Sequence, residues 1–160
     1  ILRRMKRRHL GRDIIRFCTE ARRRRPDVAF GADIIAGFPT ESCSAHRQTM
    51  AMIKDAGISY LHVFPYSPRP STPAADMPQL DGAVIKQRAG ELRELGKAQL
   101  YQHLETVIGT TDRMLVDSGN VGHGRNFAKI RLDQPFVPAS TLVDVKIYRR
   151  DQDMLLAHAV

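Results

Sequence analysis

The stretch VAFGADIIAGFPTE, residues 28–41, constrains the fold of this chain more than any other part of the sequence. Residues 28–37 are small or apolar except for Asp33, and the backbone then turns at Gly37-Phe38-Pro39. Such a run, bounded by turn residues, is typical of a parallel-sheet strand that is buried on both faces. Ligands of parallel α/β folds bind at the C-terminal ends of strands, where this turn lies. Alternation places Asp33, Ile35 and Gly37 on one face, and the carboxylate there needs a partner or a polar cavity.

The segment before this strand predicts a helix. Asp13 is a plausible N-cap, the helix should run to about Arg25, and Pro26 should end it. Apolar residues recur at helical spacing and form one predicted stripe: Ile14, Phe17, Cys18 and Ala21.

The segment after the strand predicts a second helix and a second strand. Thr40 or Ser42 can cap the helix and Gly57 should end it, followed by a strand over residues 58–66. Strand, helix and strand make a βαβ unit with a helix before it. The fold class expected for residues 1–105 is therefore α/β.

Two further patterns complete the chain. Residues 67–78 contain four prolines and predict an extended loop, and residues 82–105 predict a long helix. From residue 106 to 160, short β segments are separated by Gly and Pro, and Val143, Val145 and Ile147 alternate with polar residues. This pattern predicts a second domain, a small OB-like antiparallel β-barrel.

The charge of the chain favours a polyanionic partner such as nucleic acid, although a solvated basic surface explains it equally well. The net charge is +8 and the pI is about 10.0. No run of 18 apolar residues exists, and the N-terminal stretch lacks the apolar core of a secretory signal. The two cysteines indicate no secreted disulfide framework. We therefore expect a cytoplasmic protein.

Few motifs in the sequence point to chemistry. There is no Walker loop, no Gly-x-Gly-x-x-Gly after a strand and no Gly-x-Ser-x-Gly, and GHGR at 122–125 is interpreted as a turn among β segments. His62 has no second ligand near it in the sequence and is more typical of a structural histidine. Tyr66, Ser67 and Arg69 follow the second strand and could form the rim of a small-molecule site beside the Gly37 turn.

Three segments together resemble a known family. RRMKRRH, DIIAGFPTES and HVFPYSPRPSTPAA resemble, in order and spacing, the radical SAM methylthiotransferases that modify tRNA. The closing segments GTTDRMLVD, GHGRNFAKIRL and VDVKIY resemble the TRAM domain of that family, an OB-like RNA-binding module. The resemblance implies that residues 1–105 are the C-terminal part of a radical SAM partial TIM barrel with a long closing helix. Residues 106–160 would be the TRAM-like domain.

The resemblance also implies site residues. Those expected at the S-adenosylmethionine site are Asp33, Ile35, Gly37, Phe38, Phe64, Tyr66 and Ser67. Those expected to contact the anticodon stem-loop of tRNA are Arg3, Lys6, Arg7, Arg8, His9, Arg69, Arg125, Asn126, Phe127 and Lys129. No catalytic residue and no metal ligand is predicted within the chain.

The activity implied by the resemblance is methylthiolation of C2 of a modified adenosine next to the anticodon. It requires S-adenosylmethionine and two [4Fe–4S] clusters, for which two distant cysteines cannot supply the ligands. We therefore expect the 160 residues by themselves to be inactive. The threonylcarbamoyladenosine subtype is favoured, and the alternatives are the isopentenyladenosine subtype, a non-catalytic RNA-binding protein and a degenerate pseudo-enzyme.

Thr40 and Ser71 depart from the family pattern, in which both positions usually carry Gly. If either position requires a positive φ, its side chain costs about 1 kcal/mol or more.

Overall fold

A two-stranded parallel sheet organises the first half of the chain in the computed structural model, which describes residues 1–160. The elements of this half are α1 (Gly11–Arg24), β1 (Gly31–Ala36), α2 (Cys43–Ala56), β2 (Tyr60–Pro65) and the long helix α3 (Gly82–Thr106). The chain divides into two units, Ile1–Gln99 and Leu100–Val160, here called the α/β unit and the barrel unit. The predicted domain border at residue 105 falls within the last turn of α3.

Strands β1 and β2 are parallel, with Asp33 opposite His62 and Ile35 opposite Phe64. One face packs into a core that contains Ala36, Ile53 and Leu92. The other face is open, and Ile35 and Phe64 are 42% and 52% exposed. The prediction of a strand buried on both faces was wrong, because the helices of this unit cover a single face of the sheet. Two strands form no barrel, so the partial TIM barrel stays a prediction.

Helix α1 differs from its prediction at its start and along its stripe. Leu10 is the N-cap, and Asp13 lies in the first turn, where its carboxylate accepts the Leu10 N–H at 2.9 Å. Cys18 is buried as predicted, but Phe17 is 67% exposed. Phe17 lies at the margin of the core, where its ring meets only the edge of Phe30 at 6.3 Å between centroids.

Helix α2 begins and ends at residues with a clear capping role. The Ser42 hydroxyl accepts the Ala45 N–H at 3.1 Å, so Ser42 rather than Thr40 is the cap. Gly57 ends the helix in the left-handed conformation, and Arg22 donates to the carbonyls of Ala56 and Gly57.

The long helix α3 approaches β2 closely at Gly96. A Cβ at this position would lie 2.9 Å from Leu61 Cβ, which is too close for any larger residue without a shift of the helix.

The barrel unit contains five strands that close on themselves in the order β3-β4-β5-β7-β6. These strands are β3 (Thr111–Ser118), β4 (Val121–His123), β5 (Lys129–Leu132), β6 (Leu142–Asp151) and β7 (Met154–Ala159). Inward side chains such as Met114, Ile130 and Ile147 form its core. The expected small β-barrel is confirmed, with two corrections. The β5–β7 pair is parallel, and β4 overlaps the GHGR segment at 122–125 that was interpreted as a turn.

No helix of the chain has the length and apolar character needed to cross a membrane.

Candidate functional site

The C-terminal ends of β1 and β2 meet at one edge of the sheet. The Tyr66 N–H donates to the Ala36 carbonyl at 2.8 Å, which continues the parallel pairing one residue past β2. The ring of Tyr66 packs edge-on against Phe38, with 5.5 Å between centroids. Two residues that the sequence placed at one site therefore lie together.

The open face of the sheet presents two apolar and two polar side chains near this edge. Ile35 and Phe64 are opposite each other, and Asp33 and His62 form the adjacent pair, all of them exposed. An apolar surface with a few polar groups is the usual composition of a small-molecule site. Ser67 is exposed just beyond Tyr66, whereas Phe38 is buried and contributes to the core.

The turn at Gly37 is held from behind by a buried ion pair. The Gly37 N–H donates to Glu41 Oε2 at 3.1 Å. Arg88 Nη1 donates to the same oxygen and to the Glu41 carbonyl, each at 2.7 Å. Both side chains are buried, which makes the pair costly to break. This Glu41–Arg88 pair, here called the clamp, therefore fixes the backbone of the turn at which the two strands meet.

Gly37 must be glycine for two reasons. Its φ is +76°, in the region that glycine favours, and a Cβ there would lie 2.7 Å from Ile85 Cγ1. Helix α3 thus packs directly on the turn and also supplies Arg88 to the clamp.

The sequence reasoning missed the roles of Glu41 and Arg88, although both left a signal. Glu41 is the acidic residue of the GFP-x-E segment. Arg88 lies at helical spacing between Ile85 and Leu92 on the buried side of α3, where a charge needs a partner. His46 was missed as well; it is buried, and its Nε2 lies 2.7 Å from Glu91 Oε2.

The two residues that depart from the family pattern both adopt positive φ although they are not glycine. Thr40 has φ +67° and Ser71 has φ +64°, so the energetic cost of a side chain at positive φ applies at both positions. The Thr40 hydroxyl accepts a hydrogen bond from Arg4, which ties the basic N-terminal segment to the turn.

The basic residues predicted to contact RNA are exposed in the α/β unit. Residues 1–7 form turns, closed in part by the Arg7 N–H donating to the Leu2 carbonyl at 2.9 Å. The side chains exposed here are Arg3, Lys6, Arg7, Arg8 and His9, and Arg69 is exposed in the proline-rich loop.

In the barrel unit, the four predicted RNA contacts lie on or beside the turn between β4 and β5. Phe127 and Lys129 are exposed and Asn126 is half-buried. Arg125 is exposed as well, and its Nε donates to Asp112 Oδ1 at 2.7 Å, an interaction that the sequence reasoning missed.

Several titratable groups have shifted pKa values, and one of them is Glu91, the partner of the buried His46. Hydrogen bonds from Gln87 and His46 lower the pKa of the Glu91 carboxyl. Burial raises the pKa of Tyr60, and burial likewise raises the pKa of the Cys18 thiol. No group of three or more His, Cys, Asp or Glu side chains is arranged to hold a metal ion.

No protein-family model matches the chain. The chain is 47% identical over 134 residues to the threonylcarbamoyladenosine tRNA methylthiotransferase MtaB of Rickettsia prowazekii, a match that covers 84% of this chain and 32% of that protein. A tRNA-2-methylthio-N(6)-dimethylallyladenosine synthase of Ehrlichia chaffeensis is 35% identical over 119 residues, which are 74% of this chain and 27% of that protein. The synthase of the same name from Neorickettsia sennetsu is 31% identical over 153 residues, which are 96% of this chain and 32% of that protein. The chain spans about a third of the length of these curated relatives.

Proposed function

We propose that this chain, which belongs to the tRNA methylthiotransferase family, is the part of such an enzyme that completes the S-adenosylmethionine pocket and binds tRNA. The reaction would be methylthiolation of C2 of a modified adenosine next to the anticodon, in the cytoplasm. The threonylcarbamoyladenosine subtype is the one we propose, supported by the 47% identity to a relative of that name. The closure of five short strands into a small barrel supports the OB-like, TRAM-like assignment of the barrel unit.

The observation that carries the pocket proposal is the shared edge of β1 and β2. The backbone at Gly37 is fixed by Glu41 and Arg88, and the exposed Ile35–Phe64 pair offers an apolar surface suited to an adenine ring. The Tyr66 hydroxyl is buried without a hydrogen-bond partner, so a polar group of the ligand would satisfy it. These features fit an adenosyl group.

The residues present do not fit an iron–sulfur cluster. Cys18 is buried and Cys43 is exposed, and no third cysteine exists within the 160 residues. The clusters that the family's chemistry requires would take their ligands from elsewhere in the enzyme. We therefore assign these residues to binding and positioning, and assign them no step of the radical chemistry.

Binding of an adenosyl ligand to the chain tests the pocket proposal. In NMR titrations with S-adenosylmethionine, we expect weak binding, with shifts at Ile35, Gly37, Phe64 and Tyr66. Ile35→Ser should abolish these shifts, because it removes the apolar surface under the adenine. Leu115→Ser, at a similarly exposed position of the barrel, is the matched control and should leave them unchanged. Shifts confined to other parts of the chain would contradict the proposal.

The salt dependence of tRNA binding tests the second part. We expect the wild-type chain to bind an anticodon stem-loop weakly and to lose affinity steeply between about 50 and about 200 mM salt. Replacing Arg3, Arg7 and Arg8 by Ala should flatten the logarithmic slope by roughly 0.7 to 0.9 for each phosphate that the chain no longer neutralises. Replacing Arg23 and Arg24, which already pair with Glu20, is the control and should change the slope little. Affinity independent of salt would refute the account.

A further inference from the structure

The two units differ in net charge. This difference distinguishes long-range attraction of RNA phosphates from short-range contacts with RNA. The α/β unit has 18 Lys and Arg residues against 10 Asp and Glu, which accounts for the full net charge of +8. The barrel unit has seven of each and is neutral. Long-range attraction of phosphates therefore resides in the α/β unit. A neutral barrel has no net long-range attraction for phosphates, so its contact with RNA depends on the side chains at the contact itself.

The turn between β4 and β5 presents an aromatic ring to solvent. Phe127 is 78% exposed at the tip of this turn, which runs over residues 124–128. Its φ is +61°, a conformation that is strained for a bulky side chain. Such strain persists where the surroundings enforce it and is frequent at binding sites.

Hydrogen bonds fix the strained turn in place. The Phe127 N–H donates to the Gly124 carbonyl at 3.0 Å, and the Gly124 N–H donates to the Ala128 carbonyl at 2.9 Å. Asp112 accepts both the backbone N–H of Arg125, at 3.2 Å, and its Nε–H, at 2.7 Å. The Asp112 side chain is mostly buried, whereas the Arg125 side chain that it holds is 63% exposed. The ring of Phe127 is thus held outward on a rigid support.

Two exposed cations without an ion-pair partner follow Phe127 on strand β5, two and four residues further along the chain. Lys129 and Arg131 project from β5 on the outside of the barrel, and neither has a carboxylate within salt-bridge distance. They are placed to contact the phosphates that flank a nucleotide at Phe127. A flat exposed ring with cations nearby is the arrangement by which proteins hold unpaired nucleotides.

From these observations we propose that Phe127 is a stacking platform for an unpaired base of the RNA, and that Arg125 is a positioning residue held by Asp112. The inference rests on the proposed function, because it takes tRNA as the partner. It assigns the Phe127 ring a contribution to affinity that depends little on salt, in contrast to the contribution of the basic residues.

The test compares variants of the full 160-residue chain for binding to an anticodon stem-loop RNA and to a fully paired RNA duplex of equal length. Phe127→Ala should weaken stem-loop binding between about 5-fold and about 150-fold, the range that base–aromatic stacking contributes. The salt slope and the duplex affinity should not change. Phe127→Tyr should retain wild-type binding, because tyrosine also stacks.

Two controls keep the result interpretable. Phe127→Gly relieves the positive φ and should fold at least as well as wild type, yet it should bind as weakly as Phe127→Ala. Phe136→Ala removes a ring that is equally exposed, at 77%, in the loop before β6, and it should leave binding unchanged.

Arg125→Gln tests the positioning role. If Arg125 supports the turn, the variant should weaken stem-loop binding with the salt slope intact. If it contacts a phosphate, the slope should flatten by about 1, and the positioning role is overturned.

Different results would contradict the proposed function and the stacking role of Phe127. A wild-type chain that does not bind the stem-loop overturns the proposed function and this inference together. A wild-type chain that binds, with Phe127→Ala and Phe127→Gly binding equally well, overturns only the stacking platform. A loss of duplex and stem-loop affinity alike also overturns it, because a paired base offers no free face.

Discussion

The α/β unit and the barrel unit differ in how completely their strands are paired and covered. The barrel pairs each of its five strands on both sides and has no free edge, so its buried side chains form a closed core. The α/β unit has two strands, and helices cover only one face of them. The first arrangement is complete in itself, whereas the second leaves Ile35 and Phe64 exposed. The open face is thus a consequence of helices covering only the opposite face, and it is also where the proposed pocket lies.

The units also differ in where their charges are placed. In the α/β unit one ion pair, Glu41–Arg88, is buried and holds the Gly37 turn. In the barrel unit the Arg113–Asp144 pair is exposed, as are most of its other charged residues. Removing one partner of a buried pair destabilises the fold, whereas an exposed pair contributes little to stability. Charge removal and acid titration test this contrast, and a glycine substitution tests backbone strain in the α/β unit.

The largest effect is expected from Arg88→Ala. Removing the guanidinium leaves the Glu41 carboxylate buried without its charge partner, so we expect a loss of about 3–5 kcal/mol in unfolding free energy. Urea unfolding followed by circular dichroism measures it. The matched control is Arg113→Ala in the barrel, where the loss should be about 1 kcal/mol or less. Equal losses in the two variants would show that burial does not distinguish the pairs.

An intermediate effect of opposite sign is expected from Ser71→Gly. Ser71 has φ +64°, so glycine should stabilise the chain by about 0.5 to 1 kcal/mol, after allowance for the greater freedom of glycine when unfolded. Ser44→Gly, at an exposed position in the first turn of helix α2, is the control and should not stabilise the chain. A Ser71→Gly variant with a lower melting temperature than wild type would contradict the strain argument.

The smallest effect concerns acid. Glu91 in the α/β unit and Asp144 in the barrel both have a lowered pKa, through Gln87 and His46 for Glu91 and through Arg113 for Asp144. A lowered pKa means that each group adds stability above its unfolded pKa and that this stability is lost as the pH falls through the folded value. The melting temperature should therefore decrease when the pH is lowered below 4.5, which is the ordinary pKa of Glu.

Glu91→Gln should reduce this acid sensitivity. Glu94→Gln, one turn further along α3 at a carboxylate without an ion pair, serves as the control and should leave it unchanged. The same fall in melting temperature in wild type and Glu91→Gln would remove Glu91 from the explanation.

Much of the fold was predictable because the residues concerned act locally. Gly57 ends α2, the prolines of residues 67–78 exclude a helix, and α3 spans 82–106 against a prediction of 82–105. The parallel pairing of β1 with β2 followed from the βαβ order of elements. The errors lie where the outcome depends on distant contacts, as with the exposure of Phe17 and the β4 strand formed by Val121–His123.

The candidate site was predictable only in part, for a related reason. Gly37 and Tyr66 could be placed together, because both follow strands that end at the same edge. Arg88 could not be assigned to Glu41, since 47 residues separate them and only the packing of α3 brings them together. The pairing of Arg125 with Asp112 was hidden in the same way, because it depends on how the β4–β5 turn lies against β3.

The sequence by itself determined the order of elements, the small β-barrel, the turn at Gly37 and the family to which the chain belongs. These follow from turn residues, hydrophobic periodicity and motif spacing, all of which operate over short distances. Tertiary structure alone decided which face of β1 is open, which charges are buried as pairs and which aromatic ring is held outward. Each of these depends on what packs against a residue, and the free energy of burial is set by neighbours that are far away in the chain.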